Sequence, residues 1–370
     1  MGTYSVNGSP SLDARIDAHL ERIADVVYSS TYFKQWKALV LRGDYGRGEG
    51  GRHIGLNGEE LPFGEYNLMV VTRALNPLIE RTLERMEGLL SEELGMTVRL
   101  CPALARSLTH CECSLLNYET KQGHRVIRGK ETILSKMTDY APNRIPLSEG
   151  TRLLMNRCAP LLDIKNRLGS GIPLTPREHR RFLQAIFAAN LAFGDCALLM
   201  CGAYDSSAAV KKRRIGEVDL QGLRGGPGLA EAYRRILDFK ERGSFQPLES
   251  ENIHALFADT TERFGNVFLW YERRRLNRKF RTLEKYARTF PHLGNEGQPL
   301  KNAVLNLREF GLGAPPGLFA HPRLRLYAAL PLLLLTPHPD RGEIRWLLRS
   351  NRSTIEDLCD VFYSLQKHFE

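Results

Sequence analysis

Long apolar runs are missing from this 370-residue sequence. The longest, LYAALPLLLL at Leu326–Leu335, is about half the length a bilayer requires and contains Pro331. It predicts a buried helix, and no membrane partner is expected. The opening residues, MGTYSVNGSPSLDARIDAHLERI, lack a basic segment followed by an apolar one, so no secretory signal is expected. Met1-Gly2 is followed by Ser5, one position off the hydroxyl that a myristoylation signal requires. Cysteine pairs with metal spacing are missing as well. Cys111-Glu112-Cys113 is not a CxxC pair and has no second pair to match it, which argues against a zinc site. His53, His110, His124 and His179 show no i, i+4 pairing. The seven cysteines are an odd number, which predicts reduced thiols and a cytoplasmic protein. Internal repeats and low-complexity linkers are absent. Acidic residues are in deficit, 42 against 52 Lys and Arg, for a formal net charge of +10 at pH 7. That excess favours anionic partners such as nucleotides, nucleic acid or an acidic protein surface.

With 42% hydrophobic and 25% charged residues, the composition is that of a globular chain. Leu12, Ile16, Leu20, Ile23 and Val27 form one helical stripe. Ala38–Leu41 reads as a strand running into a glycine-rich loop from Gly43 to about Gly64, and Tyr66–Val71 reads as the next strand. Asn76-Pro77 opens a helix to Leu94, and Met96–Leu100 reads as a third strand. Ser114–Glu119 and Arg125–Ile127 read as a hairpin around Lys121–His124. After about Pro146 the spacing becomes helical, in segments that include Leu153–Leu168, Pro176–Gly202 and Ile253–Tyr286. Gly222–Gly228 reads as a flexible connection. The expected organisation is an α+β domain over 1–147 and an all-α domain over 148–370.

One segment carries chemistry. Gly43-Asp44-Tyr45-Gly46-Arg47-Gly48-Glu49-Gly50-Gly51 follows a strand, as glycine turns that bring backbone N–H groups to phosphate often do. It is neither a Walker A loop nor a dinucleotide fingerprint. On the following strand, Glu65 and Asn67 project to one face beside it. Two carboxylates in those places would hold divalent ions at a triphosphate.

GDYGRGEGG and FGEYNLMVV together resemble the nucleotidyltransferase superfamily that includes DNA polymerase β, within it the small bacterial and antibiotic-modifying members. Those carry Gly-Ser, a short loop, Asp-x-Asp on the next strand, and a third Asp on a later one. The resemblance spans about residues 35–215. It implies a mixed sheet with flanking helices, followed by a helical domain. It also implies nucleotide contacts from Gly43, Asp44, Tyr45, Gly46, Arg47 and Gly48, and metal-ligand positions at Glu65, Asn67 and Arg99. Arg47 would grip a phosphate bidentately.

The departures fall on the catalytic positions. Asp44 replaces the hydroxyl that would donate to phosphate. Asn67 is neutral, and Arg99 is a cation where a base is needed. Only Glu65 keeps a carboxylate. The expected protein is therefore a degraded nucleotidyltransferase-like pseudoenzyme that binds a nucleotide or a macromolecular partner. Two alternatives remain open. One is an active transferase moving an NMP group from NTP to a small-molecule or protein hydroxyl, with Mg²⁺ or Mn²⁺ as cofactor and Glu49 or Glu119 as a replacement ligand. The other is a basic scaffold for nucleic acid or protein, using Lys211–Arg214 and the run from Tyr271 to Arg281. Arg99 is expected to fill the empty metal site and pair with Glu65. Asp195, in an apolar helix, is expected to find a polar partner.

Overall fold

Ser9 accepts a hydrogen bond from the Leu12 N–H and Pro10 supplies a preset φ, so helix α1 runs from Pro10–Tyr28 as its capping chemistry dictates. The computed structural model describes residues 2–55, 57–242, 251–294, 297–311 and 317–369. The chain divides into two units. The first holds Met1–Pro146, Gly202–Glu217 and Ala232–Ser250, and the second holds Leu147–Cys201, Val218–Glu231 and Glu251–Glu370. The boundary read from the sequence falls beside the first crossing, but two later segments return to the first unit.

In the first unit the chain forms β1 (Trp36–Arg42), α2 (Gly43–Arg47), β2 (Gly51–Ile54), β3 (Glu60–Phe63), β4 (Glu65–Thr72), α3 (Pro77–Leu94), β5 (Thr97–Leu104), α4 (Leu115–Gln122) and β6 (Arg125–Gly129). The main sheet has the order β5-β4-β1-β6, and β2 and β3 form a separate hairpin. Only β4 and β5 run parallel; β1 is antiparallel to both neighbours. Alternation sorts the two faces. Leu39, Leu41, Tyr66, Leu68, Val70, Val98 and Leu100 pack with the apolar stripes of α1 and α3. Ala38, Val40, Met69 and Val71 pack with Leu108 and Leu134. Glu65 and Asn67 alternate with Tyr66 and Leu68, so they lie on the Met69 and Val71 side of β4.

Several expectations need correction here. The loop from Gly43 to Gly64 is instead α2 plus a hairpin. The predicted hairpin at Ser114–Ile127 is instead α4 followed by β6, because Ser114 caps a helix by accepting from the Asn117 N–H. Glu119 is therefore on a helix, not a strand. Among later segments, the helix expected across Ile253–Tyr286 stops at Arg275, and Asn277 takes a left-handed φ of 49°. Leu153–Leu168 likewise divides at Ala159-Pro160, where proline starts a new helix. Gly222–Gly228 turns and then begins a helix at Gly226.

Completing the order are α5 (Ser148–Cys158), α6 (Pro160–Gly169), α7 (Pro176–Met200), α8 (Ala208–Arg214), α9 (Gly226–Arg242), α10 (Ile253–Arg275), α11 (Leu283–Ala287), α12 (Pro299–Phe310), α13 (Arg323–Leu335), α14 (Arg341–Leu348) and α15 (Ile355–Phe369). The protein is thus α+β overall. The α8 segment and the second half of α9 belong to the first unit. In the second unit α7 packs between α5 and α10, with Phe193, Phe264, Phe268 and Tyr286 in successive ring contact. Among the described residues α7 is the one helix long and apolar enough to cross a membrane, and 67% of that window is buried inside the protein. Asp195 is half-buried on α7. The apolar run containing Pro331 is the buried helix α13, as its composition predicts.

The second unit also carries an acid-sensitive group. His321 accepts from the Arg323 N–H through Nδ1. Burial and the nearby Arg323 and Arg152 lower its pKa from 6.5 to about 4. The folded pKa lies below the unfolded one, so unfolded chains bind more protons between these values. Stability is therefore expected to fall as pH drops from about 6.5 to about 4. Urea unfolding at stepped pH checks this, and His321→Asn is expected to flatten the dependence in that window.

Candidate functional site

The glycine turn forms where β1 ends at Arg42 and α2 begins at Gly43. Gly48 closes α2 with φ 78°, a left-handed conformation that glycine takes without a Cβ penalty. Gly46 lies so close to β1 that a Cβ would stand 2.7 Å from the Leu41 carbonyl oxygen. A Cβ on Gly43 would lie 3.8 Å from the Asn67 Cβ, so the turn and the strand are neighbours. Tyr45 is buried. Its hydroxyl donates to the Gly51 carbonyl at 2.6 Å and accepts from the Phe63 N–H at 2.9 Å, which fixes the β2–β3 hairpin to the turn. That makes Tyr45 a scaffold residue of the turn.

Glu65, Asn67 and Arg99 do come onto adjacent strands: Asn67 is paired with Arg99 across the parallel ladder and with Arg42 across the antiparallel one. Their side chains then part. Asn67 Oδ1 accepts from Arg42 Nε at 2.6 Å, and Arg42 is buried. Arg99 sits on the edge strand, is 58% exposed, and its guanidinium lies 4.0 Å from Glu87 of α3. Arg99 reaches Glu87 because an edge residue can extend past the sheet to the helix beside it. Glu87 is tied there, since it accepts the Leu100 N–H at 2.5 Å. Burial raises its pKa, and Glu65 adds to the effect.

The ionic centre of this region lies instead around Arg47, whose side chain is 9% exposed. Its guanidinium is 2.8 Å from Asp44, 3.3 Å from Glu49 and 3.5 Å from Glu119. Lys240 of α9 pairs with the other oxygen of Asp44, and Phe239 packs edge-on against Phe63 one residue before it. Lys211 of α8, itself buried, lies 3.6 Å from Glu119. It also donates to the Tyr204 hydroxyl at 3.1 Å, and that hydroxyl donates to Glu119. Glu49 accepts the Ala208 N–H at 2.9 Å and so anchors the start of α8. Three carboxylates thus meet three cations, a network neutral in itself.

Their protonation follows. Burial alone raises the Asp44 carboxyl, but Lys240 and Arg47 outweigh it and hold it well below the usual carboxylate range. Burial likewise opposes ionisation of Glu119, while Arg47 and Lys211 lower it. Burial disfavours charged Arg47, yet Glu119, Asp44 and Glu49 raise its pKa further. Asp44 therefore occupies the mouth of the turn as a fixed anion between two cations.

No protein-family model matches this chain, and no curated protein matches it significantly.

The sequence singled out the turn but missed its partners. Tyr204, Lys211 and Lys240 lie 85 to 196 residues from the acids they engage. Lys211 stands out in the sequence as part of a basic run, but nothing there ties it to Glu119. That run is largely spent inside the protein: Lys212 pairs with Asp238 and Glu241, and Arg214 with Asp205. In the second run Arg273 donates to the Phe280 carbonyl, Arg274 to the Gln221 carbonyl, and Arg275 pairs with Glu272.

Proposed function

We propose that the first unit is a nucleotidyltransferase-like core that no longer performs metal-dependent nucleotidyl transfer and works by binding. The observation that carries this reading is the hydrogen bond from Arg42 to Asn67. Where the resemblance implies a carboxylate on a divalent ion, there is a neutral amide whose oxygen is already engaged by a buried guanidinium. The adjacent position is a cation drawn to Glu87. Glu65 alone keeps a carboxylate of the three. Among the described residues no group of three or more His, Cys, Asp or Glu side chains is placed to hold a metal ion. The donor set does not fit Mg²⁺ or Mn²⁺ at a triphosphate, since two-metal chemistry needs anionic oxygens on both ions. Glu49 and Glu119, the candidate replacements, are held by Arg47, Lys211, Tyr204 and the Ala208 N–H.

The test is incubation with labelled NTPs and Mg²⁺ or Mn²⁺. The expected result is no turnover above that of Glu65→Gln. Metal-dependent turnover that disappears in Glu65→Gln overturns the reading and restores the active transferase.

A further inference from the structure

The first unit contains a cavity of about 370 Å³ that is widely open to solvent and is walled in part by Gly46, Arg47 and Glu49 of the turn. Its lining includes Arg47, Gln122, His124, Arg125, Ser206 and Ser207. Arg125 opens β6 and pairs with Leu41, whereas Glu65 and Asn67 lie on β4 and Arg99 on β5. With the order β5-β4-β1-β6, strand β1 stands between the two groups. The cavity is therefore distinct from the three positions weighed above as metal ligands.

We propose that this cavity binds a small organic phosphate, a phosphomonoester of sugar-phosphate to nucleoside-monophosphate size. Its volume lies in the range of small-molecule sites. Its polar inventory is dominated by donors: two guanidiniums, an imidazole, a carboxamide and two hydroxyls. The one acid in the wall is Glu49, and both its oxygens are engaged, one by Arg47 and one by the Ala208 N–H. The cavity therefore presents a cationic balance with no carboxylate free to oppose an anion.

Arg125 carries the argument furthest. Its Nη2 donates to the Thr3 carbonyl at 2.6 Å and its guanidinium lies 5.2 Å from the Tyr4 ring centre, so it is held in place before any ligand arrives. Its Nε–H is buried and has no hydrogen-bond acceptor among the described residues. A buried guanidinium N–H without an acceptor leaves the charge of Arg125 incompletely compensated, which favours an anion beside its guanidinium. Ser207 precedes α8 yet its hydroxyl makes no capping bond to that helix, which leaves it for other use. His124 donates through Nδ1 to the Thr120 carbonyl at 2.9 Å, which fixes the orientation of its ring. Arg47 is clamped by three carboxylates and acts as a fixed wall. Phosphate suits this set better than a carboxylate does. A phosphomonoester offers three terminal oxygens and up to two charges to donors that outnumber the lone carboxylate's two oxygens.

The inference rests on the binding role proposed above and names its ligand class. Titration calorimetry on the full chain tests it, with glucose 6-phosphate and AMP as probes, glucose and adenosine as their uncharged parents, and citrate as a carboxylate. At least one phosphomonoester is expected to bind and its parent is not. Ser207→Glu, which places an anion in the cavity, and Arg125→Gln are each expected to weaken binding about tenfold or more, as loss of a charge-assisted contact does. Arg99→Gln, outside the cavity, is expected to leave it unchanged. Far-UV circular dichroism confirms that each variant is folded, and Ser207→Glu keeps the test alive if Arg125→Gln does not fold. Failure of both phosphomonoesters to bind, binding indifferent to the folded cavity variants, or a preference for citrate overturns the proposal. Metal-dependent NTP turnover overturns only the loss of transfer, because it is read at Glu65 and not at the cavity.

Discussion

Replacing Arg47 by methionine is expected to destabilise the first unit by about 3 kcal/mol, the lower end of the cost of removing one member of a buried ion pair. The estimate sits low because Asp44 is 42% exposed and keeps contact with water. Among the described residues Arg47 is the only one that touches all three carboxylates, Asp44, Glu49 and Glu119. Without it, Lys240 still compensates Asp44 and Lys211 still compensates Glu119, but Glu49 keeps only a backbone N–H. Methionine preserves most of the side chain's volume, so the loss reads charge more than packing. Chemical denaturation at neutral pH measures it. In the variant, acidification is expected to cost less than in the parent. The carboxyls that Arg47 holds below their ordinary range lose that advantage, and stability tied to a depressed carboxyl pKa is present at neutral pH and disappears on protonation. A variant as stable as the parent would mean that the network contributes geometry alone.

A larger effect is expected in the second unit. Glu272 is fully buried, and its carboxylate accepts from Thr151, from Arg275 at 2.9 and 2.6 Å, and from Tyr286 at 3.1 Å. Arg275 is 8% exposed. Glu272→Met is expected to cost about 3–5 kcal/mol, because it strands a buried guanidinium and a buried hydroxyl together. The double variant Glu272→Met, Arg275→Met is expected to recover much of that loss, since an apolar replacement of both partners removes the uncompensated charge. Denaturant unfolding of the cycle decides it. If the double variant were no better than the single, the hydrogen bonds to Thr151 and Tyr286 would be the larger part of what Glu272 supplies.

Much of the first unit is legible because its signals are local. Ser9-Pro10 and Asn76-Pro77 announce α1 and α3 through capping, and apolar runs mark β1, β4 and β5. The placement of Glu65, Asn67 and Arg99 on neighbouring strands also follows from order and spacing. Helix α4 was less legible. It is eight residues long, and Leu115 and Tyr118 suit either period, so the deciding signal was the single cap at Ser114. The fate of the site residues was not legible at all. Arg42 ends a strand that reads as apolar, and nothing in its neighbourhood marks Asn67 as its acceptor. Arg99 turns to Glu87 because β5 is an edge strand, a property of sheet order that no window of sequence contains. The network at Arg47 depends on Lys211 and Lys240, which arrive from segments that follow most of the helical unit's first helices.

That long separation has a consequence for how the protein is made. Asp44 and Lys240 are 196 residues apart. At a synthesis rate of 5–20 residues per second, Lys240 is joined to the chain roughly 10–40 s after Asp44. The sheet and its two apolar faces need nothing beyond Pro146 for their packing, but the charges at the turn wait for α8 and α9. During that interval the nascent first unit carries Asp44, Glu49 and Glu119 against Arg47 alone, a transiently acidic patch on an otherwise basic chain. Electrostatic closure of the turn is thus among the last events of its folding, set by the order in which the ribosome delivers the partners.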